Sequence, residues 1–275
     1  MKFWPLVCGA CLWTLTAFAA PQDSVRVMNL LKGASSLPAD QNIILYFAKG
    51  FQGTPYAGGT LEAFPSERLV VRTDSVDCTT FVEYVMALVL AGRSELPSYE
   101  TFKRSLQQIR YRRGEIDGYV SRLHYFSDWI GDNEAKGLVK EVTALSPHEF
   151  REVNLDFMST HVQSYPMLAS DAEALADLKE VEKRWVNFRM PYIPKNRLGE
   201  CRNVLQVADG DILVMVTNIK GLDVVHVGFA CWIDGKLHLL HASSGKKKVI
   251  LDPVPLVDYS RNIRSHIGIR VVRML

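Results

Sequence analysis

Cys78 stands where a helix could activate a thiol. It follows Asp77, a candidate N-cap, at the start of the most apolar helical pattern in the chain, which is predicted over Asp77–Ala91 and closed by Gly92 as a cap. Unpaired backbone N–H groups and the helix dipole favour a thiolate there, and the same groups could hold the oxyanion of a tetrahedral intermediate. The pattern therefore predicts a rigidly held nucleophile, with a small buried hydrophobe as the alternative.

Two histidines lie on neighbouring predicted strands. Asp234 and Gly235 form a pair typical of a two-residue hairpin turn, which fixes how the flanking strands pair. In that register His226 faces Ser243, and His241 becomes the diagonal neighbour of His226 on the same side of the sheet. One imidazole is therefore expected to orient the other.

These placements predict Cys78 as nucleophile, His226 as base and His241 as the residue that fixes the tautomer of His226. The alternative for His226 is an ordinary histidine of the core. A zinc pair of His238 and His241 is disfavoured, because residues three apart in a strand point to opposite faces. The predicted chemistry therefore uses no metal and no organic cofactor.

The composition is that of an ordinary globular protein. The chain has 275 residues, of which 48% are hydrophobic and 23% are charged, and this excludes a disordered or collagen-like protein. Its 32 Lys and Arg residues against 30 Asp and Glu residues give a formal charge of +2. So small a charge offers no electrostatic case for nucleic acid as a partner.

The N-terminus has the pattern of a signal peptide. Phe3–Leu15 is almost wholly apolar, and Ala17, Phe18 and Ala19 supply the small-x-small pattern of a cleavage site. We expect residues 1–19 to be removed and residues 20–275 to be exported, to the periplasm of a Gram-negative source or otherwise to the medium. No later segment reaches the length of about 18 apolar residues that would span a membrane, so no stable membrane insertion is expected.

Three cysteines remain after that cleavage, namely Cys78, Cys201 and Cys231. A disulfide framework needs more cysteines in a smaller chain, and an odd number leaves at least one thiol free or paired between chains. Cys231 falls on the strand face away from His226 and is expected to pack. Cys201 falls in an irregular polar stretch, where it could be a surface thiol or pair between chains.

Helical periodicity dominates the first part of the chain, and strand patterns dominate the last part. Helices are predicted at Ser24–Leu31, Asn42–Phe51, Asp77–Ala91, Tyr99–Tyr111, His124–Glu134 and Asp171–Phe188. Strands are predicted at Asp211–Thr217, Asp223–Ile233, Lys236–Ala242, Lys247–Leu251 and Ile267–Arg273. Helices followed by a run of strands predict one α+β domain over residues 20–275 with a largely antiparallel sheet.

Four short motifs carry a resemblance to a known group. They are Tyr-x-Gly-Gly at 56–59, Asp-Cys-Thr-Thr-Phe at 77–81, His-Val-Gly-Phe at 226–229 and Leu-His-Ala-Ser at 240–243. Together they resemble the NlpC-type cysteine peptidases, the bacterial cell-wall branch of the papain-like fold. Within that group, the segments 76–83 and 121–129 resemble one family, formerly a domain of unknown function and now called N-acetylmuramoyl-L-alanine amidase-like. The resemblance runs from about Asn42 to the C-terminus. It implies a papain-like fold, with the nucleophile-bearing helix packed on a largely antiparallel sheet and with extra helices.

The resemblance also implies roles for single residues. It makes Cys78 the nucleophile, His226 the base and His241 the third polar residue, in agreement with the strand register. Tyr56 matches a tyrosine that reaches the active site and can assist the oxyanion. Asp77 matches an acidic residue that can hold polar groups of the substrate as well as cap the helix. Where the wider group has Asp-Cys-Ser-Gly, this chain has Asp-Cys-Thr-Thr, and the endopeptidase specificity of that group is therefore not transferred.

The segment Arg110–Trp129 is a candidate for contact with the sugar of a substrate. It combines arginines, which donate to carboxylates, with aromatic rings, which offer faces for a sugar. Arg122 and His124 are the favoured substrate-binding residues because they lie in the family motif. The alternative is that the aromatic side chains belong to the core and the arginines to the solvated surface.

The family resemblance implies hydrolysis of the amide between the lactyl group of N-acetylmuramic acid and L-alanine. It further implies soluble muropeptides with a 1,6-anhydro sugar end as preferred partners over intact peptidoglycan. The residues themselves predict only a thiol hydrolase that acts on an amide-like carbonyl. Three alternatives stay open: a γ-D-Glu–diaminopimelate endopeptidase with the same triad, a muropeptide-binding protein without turnover, and a transferase that passes the acyl group to an amine.

Overall fold

The fold is known from a computed structural model that describes residues 22–62, 64 and 66–275. The predicted signal peptide, residues 1–19, lies outside the described residues. The helices are α1 (Gln22–Ala34), α2 (Ile43–Lys49), α3 (Cys78–Gly92), α4 (Tyr99–Arg110), α5 (Phe126–Ala135), α6 (Phe157–Thr160), α7 (Pro166–Ser170), α8 (Ala172–Lys183), α9 (Arg202–Leu205) and α10 (Leu256–Arg261). The strands are β1 (Val139–Glu141), β2 (Glu149–Val153), β3 (Phe188–Pro194), β4 (Ile212–Thr217), β5 (Val224–Ile233), β6 (Lys236–Ser243), β7 (Lys248–Leu251) and β8 (His266–Met274). Within the described ranges, none of the helices has the length and apolar character needed to cross a membrane.

The eight strands of the described residues join one sheet. Its order is β2-β3-β8-β4-β5-β6-β7, and β1 also pairs with β8. Each neighbouring pair runs antiparallel. The α+β class with a largely antiparallel sheet is thereby confirmed, while the finer papain-like assignment stays a prediction.

The hairpin between β5 and β6 has the predicted register. Asp234 and Gly235 both adopt positive φ, at 48° and 72°, which a two-residue turn of this kind requires of its central residues. Cys231 pairs with His238, as that register demands. The positions of all side chains along β5 and β6 follow from this turn.

Side chains of β5 alternate between two buried clusters. Val227 and Phe229 pack with α3 in one cluster, whereas Ala230 packs with Leu239 of β6 and Leu256 of α10 in the other. This alternation is the usual consequence of strand geometry. The sheet therefore has a core on each side at β5.

Helix α3 is buried on nearly every side because it contacts α1, α2, α4 and β5. Phe81 of α3 packs edge to face against Phe229 of β5, with ring centroids 5.5 Å apart. At the start of the helix, the Asp77 carboxylate accepts the backbone N–H of Thr80, and the Thr80 hydroxyl accepts the backbone N–H of Asp77. This capping box confirms Asp77 as the N-cap and holds Cys78 at the first helical position.

The end of α3 differs in detail from the prediction. Gly92 is the last helical residue rather than a cap, and Arg93 after it is the C-cap in a right-handed conformation. The backbone N–H of Arg93 bonds to the Val89 carbonyl, so the helix ends without a left-handed glycine.

The structure departs most from the sequence pattern between β1 and β3. None of these three strands is predicted, and the helix predicted to reach Phe188 ends at Lys183. Asn187 takes a left-handed φ of 55°, and Phe188 begins β3. Because Pro191 and Pro194 lack an N–H donor, the sequence of β3 does not have the pattern of a strand.

A buried ion pair joins α3 to α4. Nε of Arg110 lies 2.7 Å from Oε2 of Glu83, and the two side chains are only 1% and 3% exposed. Arg110 also donates to the Val70 carbonyl at 2.7 Å. Burial raises the pKa of Glu83, and the charge of Arg110 opposes that shift. Removal of either partner would leave a buried, unpaired charge at the contact between α4 and α3, the helix that carries Cys78.

Replacement of Arg110 by Met should lower the free energy of unfolding by about 3–5 kcal/mol, because Glu83 is left unpaired in the core. Urea unfolding followed by circular dichroism measures the loss. The double variant Glu83→Leu/Arg110→Met removes both charges and should recover most of it. Lys103→Met, which breaks a more exposed pair with Glu100, is the matched control and should change the free energy by less than about 1 kcal/mol. A double variant as unstable as the single one would contradict this role of the pair.

Candidate functional site

Cys78 faces a small cavity at the first turn of α3. The cavity has a volume of about 100 Å³, and His226 and His124 also line it. The sulfur accepts hydrogen bonds from the Thr79 hydroxyl and from the backbone N–H groups of Thr79 and Val227. The structure thus brings the thiol and the imidazole of His226 to one small space.

The thiol of Cys78 is neutral in the free protein. Burial, and after it the negative charge of Asp77, raise the pKa of Cys78 to about 12. The hydrogen bonds to the sulfur act in the opposite direction but do not overcome burial. Desolvation of the charged sulfur thus opposes the thiolate that the helix N-terminus is expected to stabilise.

The two predicted histidines are in direct contact. Nε2 of His226 lies 2.6 Å from Nδ1 of His241, and the rings meet edge to face with centroids 4.8 Å apart. This contact confirms that the two rings are neighbours across the hairpin. Burial, followed by the positive charge that His241 and His266 carry when protonated, lowers the pKa of His226 to about 3, so that His226 is neutral near pH 7.

A β-bulge sets the position of His226. Met215 of β4 pairs with His226, but Val216 pairs with Val224, so that Val225 is an extra residue in β5. Bulges bend a strand and re-aim the side chains beside them. His226 therefore comes from the irregular start of β5, where its side chain reaches both the thiol cavity and His241.

Gly228 makes room for His241. A Cβ atom on Gly228 would lie 2.8 Å from Cβ of His241 and 2.8 Å from the Leu240 carbonyl oxygen. Any side chain at this position would push His241 away from its place beside His226. The glycine of the His-Val-Gly-Phe motif is thus explained by the close approach of β5 and β6.

Asp252 extends the polar contacts beyond His241, and no motif in the sequence marks it. Oδ2 of Asp252 lies 3.5 Å from Nε2 of His241, while Oδ1 accepts the backbone N–H of Val254. Burial lowers the pKa of His241, and Asp252 opposes that shift. His241 is therefore a neutral ring beside a buried carboxylate.

The carboxylate selects the tautomer of both rings. A neutral imidazole has one N–H donor and one acceptor. Asp252 forms no hydrogen bond with Nε2 of His241, but its negative charge 3.5 Å away favours the proton of His241 on Nε2, which leaves Nδ1 of His241 as the acceptor. Nε2 of His226 must then carry the proton that His241 accepts, which leaves Nδ1 of His226 unprotonated. Nδ1 is therefore the atom that can take the proton of the thiol.

The register of β6 with β7 explains the approach of Asp252. Leu240 pairs with Leu251 and His241 pairs with Ile250, so that Asp252 falls on the diagonal from His241. The turn between these strands spans residues 244–247. A turn of that length has no signature as specific as Asp-Gly, and no local signal therefore predicts this contact.

Tyr56 and Asp77 lie beside the thiol. Tyr56 forms a backbone bridge with Val76, two residues before Cys78. Burial, and then the neighbouring Cys78 and Asp77, raise the pKa of Tyr56 to about 12, so that its hydroxyl stays protonated. Oδ1 of Asp77 accepts both the backbone N–H and the hydroxyl of Thr80, each at 2.8 Å. One oxygen of Asp77 is thus engaged in the helix cap.

His124 and Arg122 have different positions although they are two residues apart. His124 lines the thiol cavity, and its Nε2 donates to the Tyr119 carbonyl at 2.9 Å. The guanidinium of Arg122 is buried and lies 2.7 Å from Glu62 and 3.3 Å from Glu67. The structure therefore brings His124 to the site and leaves Arg122 outside it, because Arg122 faces two carboxylates of the protein.

Most of the segment Arg110–Trp129 belongs to the core. Tyr125 and Trp129 are buried, as the alternative for this segment predicts. Arg110, Arg112 and Arg122 pair with carboxylates of the protein, Arg112 at 2.6 Å from Asp128, whereas Arg113 is exposed as that alternative predicts. Of the two residues favoured for contact with a sugar, His124 lies at the thiol cavity, and the contact itself stays a prediction.

The other two cysteines of the described residues lie away from this cavity. Cys231 is buried and packs in the core beside α3, as predicted, whereas Cys201 is exposed. Neither forms a disulfide. No group of three His, Cys, Asp or Glu side chains in the described part of the chain is placed to hold a metal ion.

Comparison with known proteins gives the family of this chain. A family model described as AmiA-like, N-acetylmuramoyl-L-alanine amidase-like, matches residues 46–269. The chain belongs to this family. Its place among amidase-like proteins makes it a hydrolase of the amidase type.

Solved structures of relatives have the same fold. An N-acetylmuramoyl-L-alanine amidase from Bacteroides uniformis is 40% identical, with coverage of 88% of this chain and 99% of that chain and a TM-score of 0.80. A candidate xylanase from Bacteroides fragilis is 43% identical, with coverage of 83% and 99% and a TM-score of 0.79. A Legionella pneumophila protein is 24% identical, with coverage of 92% and 95% and a TM-score of 0.71, and shows the fold alone. Among curated proteins, none matches the chain.

Alkylation of Cys78 by iodoacetamide should be slow at pH 7 and should rise about tenfold per pH unit up to pH 9.5, because only the thiolate reacts and its pKa is raised. Mass spectrometry of the peptide that carries Cys78 measures the rate separately from that of the exposed Cys201. A rate that stays level between pH 5 and 8 would instead reveal a thiolate–imidazolium pair in the free protein.

Proposed function

We propose that this protein is a cysteine-dependent N-acetylmuramoyl-L-alanine amidase that acts on soluble muropeptides, including those with a 1,6-anhydro sugar end. The observation that carries the proposal is the shared cavity of Cys78 and His226, in which His226 is oriented by His241. The Bacteroides uniformis relative, named for this activity, supports the choice of bond. The proposal includes export of residues 20–275, which would place the enzyme where wall fragments arise.

The first step forms a thioester. Sγ of Cys78 attacks the lactyl carbonyl while its proton passes to Nδ1 of His226. The carbonyl oxygen becomes an oxyanion, for which the protonated hydroxyl of Tyr56 and the backbone N–H of Cys78 are the available donors. The imidazolium then protonates the L-alanine nitrogen, the C–N bond breaks, and the stem peptide leaves with a free amine.

The second step releases the sugar. Water enters the cavity and gives a proton to Nδ1 of His226 as its oxygen attacks the thioester carbonyl. The C–S bond breaks, the sulfur recovers its proton from the imidazolium, and the muramic acid carboxylic acid leaves. Both steps use the same lone pair of His226, on Nδ1, the ring nitrogen that does not contact His241.

The carboxylates near the cavity favour this thiol chemistry over glycoside hydrolysis, the activity named for the Bacteroides fragilis relative. Glycosidases flank the scissile bond with two carboxyl groups. Asp223 lines the cavity, but its oxygens accept the backbone N–H groups of Ser127 at 2.6 Å and of Val224 at 2.8 Å. Asp252 is turned towards His241. Neither carboxylate is free to act as a nucleophile or general acid on a sugar.

Mass spectrometry of defined muropeptides, with and without the anhydro end, tests the proposal. Incubation with residues 20–275 should release a free sugar and a stem that begins with L-alanine. Cys78→Ala should abolish the products, and Cys201→Ser, which removes the exposed thiol, is the matched control that should retain them. A sugar that still carries L-Ala-γ-D-Glu would make the protein an endopeptidase. An absence of product from every substrate would favour the muropeptide-binding alternative.

Asp252→Asn should lower kcat by about 100-fold or more with little change in KM, because His226 loses the enforced tautomer that accepts the thiol proton. The acid limb of the kcat/KM profile should also move to lower pH, since a carboxylate that favours the charged form of His241 has been removed. Steady-state kinetics from pH 2.5 to 9 measures both effects, because the pKa of about 3 for His226 places the acid limb near that value. An unchanged kcat, or a loss explained by a lower Tm alone, would remove Asp252 from the mechanism.

A further inference from the structure

A second and larger cavity opens on the other side of His226. Its volume is about 630 Å³, and its lining includes Ser244, Lys246 and His266. It shares only Val225 and His226 with the thiol cavity, and Cys78 does not line it. His226 therefore stands as a wall between a small space that holds the nucleophile and a large space that does not.

The proposed chemistry decides which part of a substrate lies on each side of that wall. The acyl carbon must bond to Sγ of Cys78, and the leaving nitrogen must come within hydrogen-bond reach of the imidazole of His226. Everything attached to that nitrogen continues outward from His226. The space that contacts His226 without contacting Cys78 is therefore on the side of the leaving group.

The size of the larger cavity suits an extended ligand. Sites for small ligands usually enclose about 300–1,000 Å³, and this cavity lies within that range, whereas the thiol cavity does not. The ring of Tyr259, which meets His241 edge to face with centroids 5.5 Å apart, forms part of its wall. The larger cavity is thus continuous with the residues that orient His226.

The charge of the lining favours an acidic ligand. Lys246 is exposed in the cavity and forms no ion pair within the described part of the chain. Asp252 is the one carboxylate of the lining, and it is buried against His241 and the backbone of Val254. A carboxylate that enters would therefore meet an unpaired ammonium group and no exposed negative charge.

His266 adds an unused polar atom to this wall. The residue is 1% exposed, and its Nδ1 lies 3.3 Å from the Ser260 hydroxyl. Its Nε2 has no hydrogen-bond partner among the described residues. Burial, and then Lys195, lower the pKa of His266 to about 4, so that the ring is neutral near pH 7. If the hydroxyl of Ser260 donates to Nδ1, Nε2 carries the proton and can donate to a peptide or carboxylate oxygen.

We propose that the larger cavity binds the leaving group as an acidic stem peptide, with Lys246 paired to one of its carboxylates and His266 donating to a second oxygen. The inference rests on the proposed function. It adds that the acyl group lies at the thiol cavity and the leaving group in the larger cavity. It also explains why specificity for the stem would come from the loop after β6 and from the residues around α10, rather than from the segment 110–129.

The first test compares two substrates that differ only in the leaving group. One carries L-alanine amide, which is short and uncharged, and the other carries a tetrapeptide stem with free carboxylates. Lys246→Met should lower the ratio of kcat/KM for the stem substrate to kcat/KM for the amide about tenfold, mainly through KM. Ser244→Glu, which adds a negative charge at the exposed rim, should lower the same ratio. Added salt should reduce the change in this ratio for both variants, because it screens the charges.

The matched control is Lys236→Met, an exposed lysine beside the turn of the β5–β6 hairpin, which should leave the ratio unchanged. The second test measures binding to Cys78→Ala protein by calorimetry, with the free tetrapeptide and the free sugar as separate probes. Lys246→Met should weaken the tetrapeptide about tenfold and not the sugar.

A loss of sugar affinity in Lys246→Met, or no loss for either probe, would overturn the assignment of the cavity. If the wild-type protein cleaves neither substrate, the proposed function fails. The calorimetric test would still show whether the larger cavity binds the acidic tetrapeptide. Failure of the proposed function and failure of the peptide site are therefore distinguishable.

Discussion

The contact between the imidazoles of His226 and His241 is the interaction on which the rest of the site depends. Nε2 of His226 lies within 2.6 Å of Nδ1 of His241 because Gly228 has no side chain and because the bulge at Val225 changes the direction of the His226 side chain. Beyond His241, the negative charge of Asp252 favours the proton on Nε2 of His241, and with it the proton on Nε2 of His226. The lone pair offered to the thiol is thus the end of a chain of contacts that begins in the turn after β7. A change in any of these contacts would rotate or reprotonate His226 without touching the nucleophile.

Burial fixes this geometry and also keeps the site uncharged. It raises the pKa of Cys78 and lowers the pKa of His226, in both cases because a charged form loses its hydration. The proton therefore leaves the sulfur only as negative charge passes on to a bound carbonyl oxygen. Tyr56 is kept protonated by the same burial and can donate at that moment. The backbone N–H of Cys78, which neither the capping box nor the sulfur uses, is then available to the oxyanion.

Local patterns in the sequence suffice for those parts of the site that depend on one element or one tight turn. The apolar run of α3 predicts its burial, Asp77 predicts its start, and the Asp-Gly turn predicts that His226 and His241 meet. The contact of Asp252 depends on a longer turn, and the bulge at Val225 depends on three strands at once, so neither has a local signature. Strand β3 forms by pairing with β2 and β8, although its two prolines remove the sequence pattern of a strand. The protonation state of Cys78 follows from burial by segments that are distant in sequence. The pattern of one helix does not predict that burial.

Arg122 shows why a place in a family motif does not imply contact with a substrate. It lies between residues 121 and 129, yet its guanidinium pairs with Glu62 and Glu67, which follow the loop that carries Tyr56. These buried pairs connect that loop to the segment that carries His124, and both segments approach the thiol. A buried arginine with two carboxylate partners restricts their relative movement more than a solvated one could. Positions in one motif therefore divide between residues that face the thiol, such as His124, and residues that hold the surrounding loops together, such as Arg122.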